Sequence, residues 1–450
     1  MRRITRLCFR FPLDYGLVIL DIALNECLQQ LYKTWEPRED KDKQIKEDPN
    51  FPFNAFLAML IALMAVSTVL LVPFIALWQL HVEANQSDYY FRDADTSDRP
   101  NGNVGLTGSS LMSFYESNLI HFLRTPPAKA PRISQIYDAF VDYLGLEPYA
   151  GNDPDSCHPE TSVVSKLTKD VNVLEHIHSH NDYWRRMPLF EALCYGVASV
   201  EADVWLTKNN SDLAVGHNKA YLDPSTRNLE SLYTGPLMSM LEEVNCGNTD
   251  ADDKYGVFYN SPETTLYLYV DFKSPDAVMT YNLLMNKYLK PLIDGGYVSY
   301  LDLETKEIVT RPLTVTLTGD YPTNTSDLDG NNDDGYFHNN KRFAFQDALL
   351  HDLPDDVHNA SVVASSSLGQ LLRTCSPPSS VNRFKSGLSD KEIDCVKRKV
   401  DRAAKMQLKT RIWGIPNWPV YSRNALWKQQ LEDLHVDFLN VDDLAAASIL

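Results

Sequence analysis

The chain has 450 residues, a formal net charge of −18 and an aromatic content of 11%. The plentiful aromatic residues and the ordinary share of charged residues exclude an intrinsically disordered chain. The acidic balance argues against a nucleic-acid partner, because binding to a phosphate backbone requires Lys and Arg to neutralise it.

The N-terminal part contains one long apolar run without a charged residue. It covers residues 55–78 and reads AFLAMLIALMAVSTVLLVPFIALW. A transmembrane helix needs about 20 apolar residues, and Pro73 is tolerated within such a helix. The run lies too far from Met1 for a cleaved signal peptide, so it predicts a signal-anchor helix. A buried core helix is the alternative.

Basic residues on either side of this run predict its orientation. Those that precede it are Lys33, Arg38, Lys41, Lys43 and Lys46, and the first to follow it are Arg92 and Arg99. The positive-inside rule then leaves residues 1–50 in the cytoplasm as an N-terminal segment. The remainder of a single-pass membrane protein would lie on the lumenal or extracytoplasmic side. Four Asn-X-Ser sites after the run are consistent with a glycoprotein; they begin at Asn85, Asn209, Asn324 and Asn359.

Five cysteines follow the apolar run: Cys157, Cys194, Cys246, Cys375 and Cys395. Cys194 lies in an apolar helical stretch, which predicts a buried thiol. A disulfide between Cys375 and Cys395 is one arrangement, and the sequence leaves the pairing open.

Residues 80–171 are predicted to form a stem with lead-in helices. Their first part is rich in Asp, Ser, Asn and Gly. Two amphipathic segments follow, at 111–123 and 133–145, and the breaker TPPAKAP separates them.

From residue 172 to the end at 450, short apolar runs alternate with stretches of helical spacing. The runs that predict strands are 174–180, 199–206, 213–217, 266–273, 313–319, 342–347, 411–416 and 437–442. The stretches that predict helices are 188–197, 276–293, 388–407 and 422–434. Eight strands in alternation with helices predict an α/β fold, a TIM-type (β/α)8 barrel preceded by the one transmembrane helix. A doubly wound open sheet would give the same alternation.

Ionisable residues fall at the ends of the first four predicted strands. They are His180 on the first, Glu201 and Asp203 on the second, His217 on the third, and Asp271 and Lys273 on the fourth. Because active sites of TIM barrels lie at the carboxyl ends of the strands, we expect these side chains to meet there.

The residue types indicate a cation beside a phosphate group. Three carboxylates are hard oxygen donors that suit one divalent cation, Mg²⁺ or Ca²⁺. A lysine adds positive charge, and two histidines on different strands suit acid–base catalysis. An alternative makes His178 and His180 a zinc pair.

The segment HSHNDYWRRMPLFEALCYGVASVEADVWLTKNNSDLAVGHN (178–218) resembles the start of glycerophosphodiester phosphodiesterase and sphingomyelinase D barrels. These belong to the phospholipase-C-like phosphodiesterase superfamily. Residues 412–417 (IWGIPN) and 435–444 (HVDFLNVDDL) are similar to the last strands of those barrels. The sequence is closer still to the fungal altered inheritance of mitochondria protein six family, and is identified as a member.

The resemblance implies a role for each candidate residue. It makes His180 the base or nucleophile and His217 the general acid. Lys273 would contact the phosphate, and the metal ligands would be Glu201, Asp203 and Asp271. The implied activity is that of a phosphoric diester hydrolase acting on a lipid head group or a related phosphodiester.

Two departures weaken an assignment to glycerophosphodiesters. Asn181-Asp182 replace the usual Arg-Gly, and Pro188-Leu189-Phe190 replace Pro-Glu-Asn. A non-catalytic barrel that serves as a phosphate-binding or scaffold module is the alternative from another class.

Overall fold

The computed structural model describes residues 106–118, 133–146, 157–248, 250, 252–329, 340–355, 357 and 360–450. The predicted segments 1–50 and 55–78 lie outside these residues, so both remain predictions. No helix in the described ranges has the length and apolar character that a membrane crossing requires.

Eight parallel strands close into a barrel. In chain order the strands are β1 (Ile177–Ser179), β2 (Ser199–Leu206), β3 (Leu213–Val215), β4 (Leu266–Phe272), β5 (Tyr300–Asp302), β6 (Ile308–Val309), β7 (Leu313–Gly319), β8 (Lys341–Arg342), β9 (Phe345–Leu349), β10 (Val363–Ser367), β11 (Lys409–Trp413) and β12 (Phe438–Val441). The barrel runs β1-β2-β4-β7-β9-β10-β11-β12, and β12 pairs again with β1. The predicted TIM-type architecture is confirmed, and an open sheet is excluded because β1 has a neighbour on both sides.

One predicted barrel strand was wrong, and one was missed. Residues 213–217 do not supply a barrel strand, because β3 pairs antiparallel with β2 as a hairpin, with Val215 opposite Val204. The missing barrel strand is β10, which was not predicted because three of its five residues are consecutive serines and not apolar. One of them, Ser365, accepts a hydrogen bond from the buried Arg411, so this strand is polar where it faces the barrel interior.

Three helices precede β1, and the other described helices lie after it in the chain. They are α1 (Gly108–Ser117), α2 (Ile133–Leu144), α3 (Val163–Thr168), α4 (Phe190–Cys194), α5 (Gly235–Val244), α6 (Ala277–Leu283), α7 (Lys290–Asp294), α8 (Thr325–Leu328), α9 (Leu368–Arg373), α10 (Asp390–Lys405), α11 (Val420–Glu432) and α12 (Leu444–Ala447). Single-turn 3₁₀ and π segments complete the set: Pro159–Thr161, Asp182–Trp184, Lys219–Tyr221, Glu230–Thr234, Leu284–Leu289 and Leu350–Asp352. All four stretches of helical spacing contain a helix, and a capping box of Ser389 and Glu392 begins α10.

The two lead-in helices pack onto the barrel domain. In α2 the buried residues Ile136, Tyr137, Phe140 and Leu144 form one stripe. The ring of Phe140 lies 5.5 Å from that of Phe190 in α4, between centroids. Part of the predicted stem therefore contributes to the hydrophobic core.

Two disulfides join distant parts of the chain. The Cys375–Cys395 bond, which the sequence left open, is present, and Cys157 pairs with Cys246, a bond that the sequence did not indicate. Cys194 is a free, buried thiol, as expected.

A small antiparallel sheet of β6, β5 and β8 lies outside the barrel. Its strands precede β7 and β9 in the chain, so the sheet lies toward the amino ends of the barrel strands. The ionisable residues predicted from sequence lie at the opposite, carboxyl ends.

Candidate active site

Strand register brings the three predicted carboxylates together. Glu201 and Asp203 are two residues apart on β2 and therefore point to the same side. Asp271 on β4 is the register partner of Asp203. One oxygen from each of the three side chains lies within 4.8 Å of the others.

The surroundings of these carboxylates fit a divalent cation. The Oδ1 atom of Asp271 is buried and has no hydrogen-bond partner among the described residues. Burial and the charges of Glu201 and Asp271 raise the pKa of Asp203 to about 6. A cation bound here would give the buried oxygen a partner and would offset the repulsion between the acids. Hard oxygen donors of this kind suit Mg²⁺ or Ca²⁺.

Gly319, at the end of β7, leaves room for the Asp271 carboxylate. Its φ of +73° lies in the left-handed region, and a Cβ atom added there would stand 2.1 Å from Asp271 Oδ1. No other residue type fits without displacing this carboxylate.

Lys273 lies directly on the acid cluster. Its Nζ is 2.8 Å from Asp271 Oδ2 and 3.3 Å from Asp203 Oδ2. Burial lowers the pKa of Lys273, but the two carboxylates outweigh it and raise the pKa overall. The side chain therefore stays cationic and offsets part of the negative charge.

A carboxylate that the sequence did not indicate holds His180. The Nδ1 atom of His180 lies 2.7 Å from Asp442 Oδ1, and its Nε2 lies 3.8 Å from Glu201 Oε2. Donation from Nδ1 to Asp442 fixes the tautomer and leaves the lone pair of Nε2 on the side of the acid cluster, 3.5 Å from Asn181 Nδ2. Burial lowers the pKa of His180, but the hydrogen bond to Asp442 and the charge of Glu201 raise it overall. Burial raises the pKa of Asp442, yet its hydrogen bonds from His180 and Asn417 bring it to about 2.

The loop after β1 explains the departure at Asn181-Asp182. Asn181 adopts a left-handed φ of 48°, and its backbone N–H donates to Glu201 Oε2 at 2.9 Å. Asp182 is fully buried and accepts hydrogen bonds from Ser179 Oγ and from the backbone N–H of Leu189. These two residues hold the loop and the Glu201 carboxylate in place.

The β2–β3 hairpin brings His217 to the site. The backbone N–H of Gly216 donates to the carbonyl of Asp203, and His217 Nδ1 lies 3.2 Å from Asp203 Oδ2. The hydroxyl of Tyr183 is 2.7 Å from the same carboxylate oxygen. The sequence predicted this histidine at the site but placed it on a barrel strand.

His178 is not available as half of a zinc pair. Its Nδ1 contacts Ser199 Oγ at 2.8 Å, and its Nε2 accepts from Arg411 at 2.9 Å. Burial and the neighbouring charge of Arg411 hold the pKa of His178 well below its usual range. Both ring nitrogens are thus used inside the barrel.

Arg411 is a buried cation beneath the acid cluster, and the sequence did not single it out. Its guanidinium lies 3.5 Å from Glu201 Oε1 and 3.3 Å from Asp347 Oδ2. Burial raises the pKa of Asp347 to about 6, although the charge of Arg411 lowers it. The only sequence signal was an arginine at the start of the apolar run 411–416.

Comparison with known proteins places the chain in a family. It is 48% identical over 395 residues to altered inheritance of mitochondria protein 6 of Lachancea thermotolerans, covering 86% of this chain and 92% of that protein. The chain belongs to the altered inheritance of mitochondria protein 6 family. The protein of that name from Saccharomyces cerevisiae strain S288c is 47% identical over 350 residues, covering 77% of this chain and 88% of its own. The protein of that name from Kluyveromyces lactis is 43% identical over 378 residues, covering 76% of this chain and 86% of its own.

Residues 165–337 match the family model described as an AIM6-like phosphodiesterase domain. All six predicted site residues lie within this match, whereas Arg411 and Asp442 lie beyond it. The second half of the barrel therefore supplies two further residues that contact the candidate site of this chain. No solved structure matches the chain.

Proposed function

We propose that the chain is a metal-dependent phosphoric diester hydrolase that acts on a lipid head group or a related phosphodiester. The observation that carries this proposal is the carboxylate cluster of β2 and β4, with its unpartnered buried oxygen and a histidine on either side. One divalent cation, Mg²⁺ or Ca²⁺, would be held by Glu201, Asp203 and Asp271.

Each side chain has a distinct task in this proposal. The bound cation would supply Lewis-acid stabilisation of a phosphoryl oxygen. His180 Nε2 accepts the proton of the attacking oxygen or attacks phosphorus itself, while Asp442 fixes its orientation. His217 donates a proton to the leaving oxygen, and Lys273 places positive charge beside the phosphate.

Hydrolysis of a chromogenic phosphodiester such as bis(p-nitrophenyl) phosphate tests the proposal. We expect His180→Ala and Glu201→Ala to lower the rate by about 10²–10⁴-fold, the range for a positioned proton-transfer group. His158→Ala, on an exposed loop, is the control and should retain the wild-type rate. Wild-type rates in both site variants would contradict the assigned active site, whereas no hydrolysis by the wild type would favour the non-catalytic barrel.

We also propose that residues 55–78 anchor the protein in a membrane, with the barrel on the lumenal or extracytoplasmic side. Two disulfides in the barrel domain support an oxidising compartment, because such bonds are rare in the cytosol. The acidic balance supports the proposal that no nucleic acid is bound.

A further inference from the structure

Exposed apolar side chains gather beside the carboxyl end of β11. They form what we call the aromatic patch: Phe384, Trp413, Trp418, Val420 and Tyr421. Phe384 and Trp418 are both 64% exposed. Side chains of this size normally pack into a core, and a group of them on one surface indicates a contact with something else.

Side-chain contacts hold the patch together across two separate loops. Phe384 lies between α9 and α10, and Trp418 lies between β11 and α11. Their rings meet edge to face with centroids 6.2 Å apart. The hydroxyl of Tyr421 donates to the backbone carbonyl of Phe384 at 3.0 Å. These contacts preorganise the patch in the absence of a binding partner.

The patch is directly connected to the candidate active site. Asn417, next to Trp418 in the chain, donates to Asp442 Oδ2 at 2.9 Å. The other oxygen of Asp442 contacts His180 Nδ1 at 2.7 Å. A surface seated on the patch would therefore lie next to the residues that bind and cleave the phosphodiester.

Basic residues flank the patch in an otherwise acidic chain. Arg383 and Lys385 stand on either side of Phe384, and both are exposed. The net charge of the whole chain is −18, so this local basic character opposes the general trend. The phosphate groups of lipid head groups attract exposed Lys and Arg that lie within one Debye length, ~8–10 Å, of a bilayer surface.

We propose that the aromatic patch, with Arg383 and Lys385, is a docking surface for a phospholipid bilayer. Aromatic rings with a polar edge favour the head-group region, where basic side chains also meet phosphate groups. Contact of the patch with the head-group region would place His180 near the phosphodiester groups of the lipids. This substrate assignment rests on the proposed function, whereas the docking itself does not.

Tryptophan fluorescence tests the docking without any catalytic readout. The full-length protein is reconstituted into phosphatidylcholine–phosphatidylserine vesicles with bromine-labelled acyl chains, which quench nearby tryptophans. Trp418 is one of seven tryptophans. If it enters the bilayer, the quenched fraction of fluorescence falls in Trp418→Phe. If it stays in water, removal of an unquenched emitter raises that fraction, and the proposal is overturned.

Turnover of a lipid substrate provides the second test. The measured quantity is the rate on a phospholipid diester in vesicles divided by the rate on a soluble chromogenic diester. We expect Phe384→Ala/Trp418→Ala to lower this ratio by about tenfold, equivalent to ~1.4 kcal/mol. Ile308→Ala is the matched control, because Ile308 is exposed on β6 toward the amino ends of the barrel strands. Its ratio should equal that of the wild type.

The outcomes separate the two proposals. A wild type that cleaves neither substrate contradicts the proposed function, and the quenching result then decides the docking surface alone. Self-association that the double variant abolishes, without lipid quenching of Trp418, would show that a second copy covers the patch and would overturn the docking proposal. An equal ratio in the double variant and in Ile308→Ala would contradict the presentation of lipid to the site.

Discussion

Asp442 follows β12 and orients the imidazole of His180 through a 2.7 Å contact. Asp442→Asn removes the negative charge that helps raise the pKa of His180, so that pKa falls. If His180 acts as a base, the acidic limb of the pH–rate profile then moves to lower pH. We also expect kcat to fall by about 10²-fold, the lower end of the contribution of a positioned proton-transfer group.

The neighbouring Asp443 provides a matched control for this prediction. It is exposed, pairs with Arg423 and caps α12, and makes no contact with His180 in the structure. Asp443→Asn should leave the pH profile of diester hydrolysis unchanged. The same shift in both variants would argue against a specific role for Asp442.

Gly319 allows a second prediction about a single position. Gly319→Ala would press a methyl group against Asp271 Oδ1, so we expect weaker binding of Mg²⁺ or Ca²⁺ and slower hydrolysis. Gly414→Ala is the control, because Gly414 has a similar φ of +75° but its added Cβ would meet only Ser367 Cβ at 3.5 Å. Calorimetric titration of the cation into both variants distinguishes displacement of the carboxylate from backbone strain. Equal metal affinity in Gly319→Ala and Gly414→Ala would contradict the proposed displacement of the Asp271 carboxylate.

At the scale of elements, Arg411 on β11 contacts side chains from five other strands inside the barrel. Its guanidinium contacts Asp347 on β9 and Glu201 on β2, so Arg411→Met leaves two buried acids without this partner. We expect the free energy of unfolding to fall by about 3–5 kcal/mol. Chemical denaturation of the purified full-length chain measures this loss.

The pH dependence of that loss has a definite sign. Burial already raises the pKa of Asp347 to about 6, and removal of Arg411 raises it further. An acid whose pKa is higher in the folded state than in the unfolded state destabilises the fold as pH rises. Arg411→Met should therefore lower the free energy of unfolding more at pH 8 than at pH 5. The control is Arg402→Met, which breaks the exposed pair with Asp355. This variant should lower the free energy of unfolding by less than about 1 kcal/mol at both pH values. An equally small loss from Arg411→Met would argue against a buried network.

Local spacing explains which parts of the site the sequence predicted. Glu201 and Asp203 on one strand, and Asp271 with Lys273 on another, are recognisable because alternate residues share a face. Asp442 lies 262 residues from His180 in the chain and meets it only because β12 pairs with β1. No local sequence pattern shows that β12 pairs with β1, so the contact of Asp442 with His180 could not be predicted. The contact of Arg411 with Glu201 could not be predicted for the same reason. The β2–β3 hairpin was missed because a short apolar run does not show whether its partner is parallel or antiparallel.

At the scale of the whole molecule, N-linked glycans would report the compartment of the barrel domain. Asn209 and Asn324 are exposed in the described structure, and both begin Asn-X-Ser sites. If the barrel domain lies in the lumen, glycosidase treatment should increase gel mobility, and Asn209→Gln/Asn324→Gln should reduce that shift. No shift for the wild-type protein would contradict the predicted orientation of residues 55–78.

Both histidines lie beside the carboxylates of Glu201, Asp203 and Asp271, and the proposed chemistry depends on one divalent cation that these three side chains would hold. Equilibrium dialysis of the full-length protein against Mg²⁺ or Ca²⁺ tests it most directly. We expect one bound ion per chain in the wild type, a large loss of affinity in Asp271→Asn, and wild-type binding in Asp276→Asn, which alters only the cap of α6. Stoichiometric binding that Asp271→Asn leaves unchanged, or no specific binding to the wild type, would contradict the metal site.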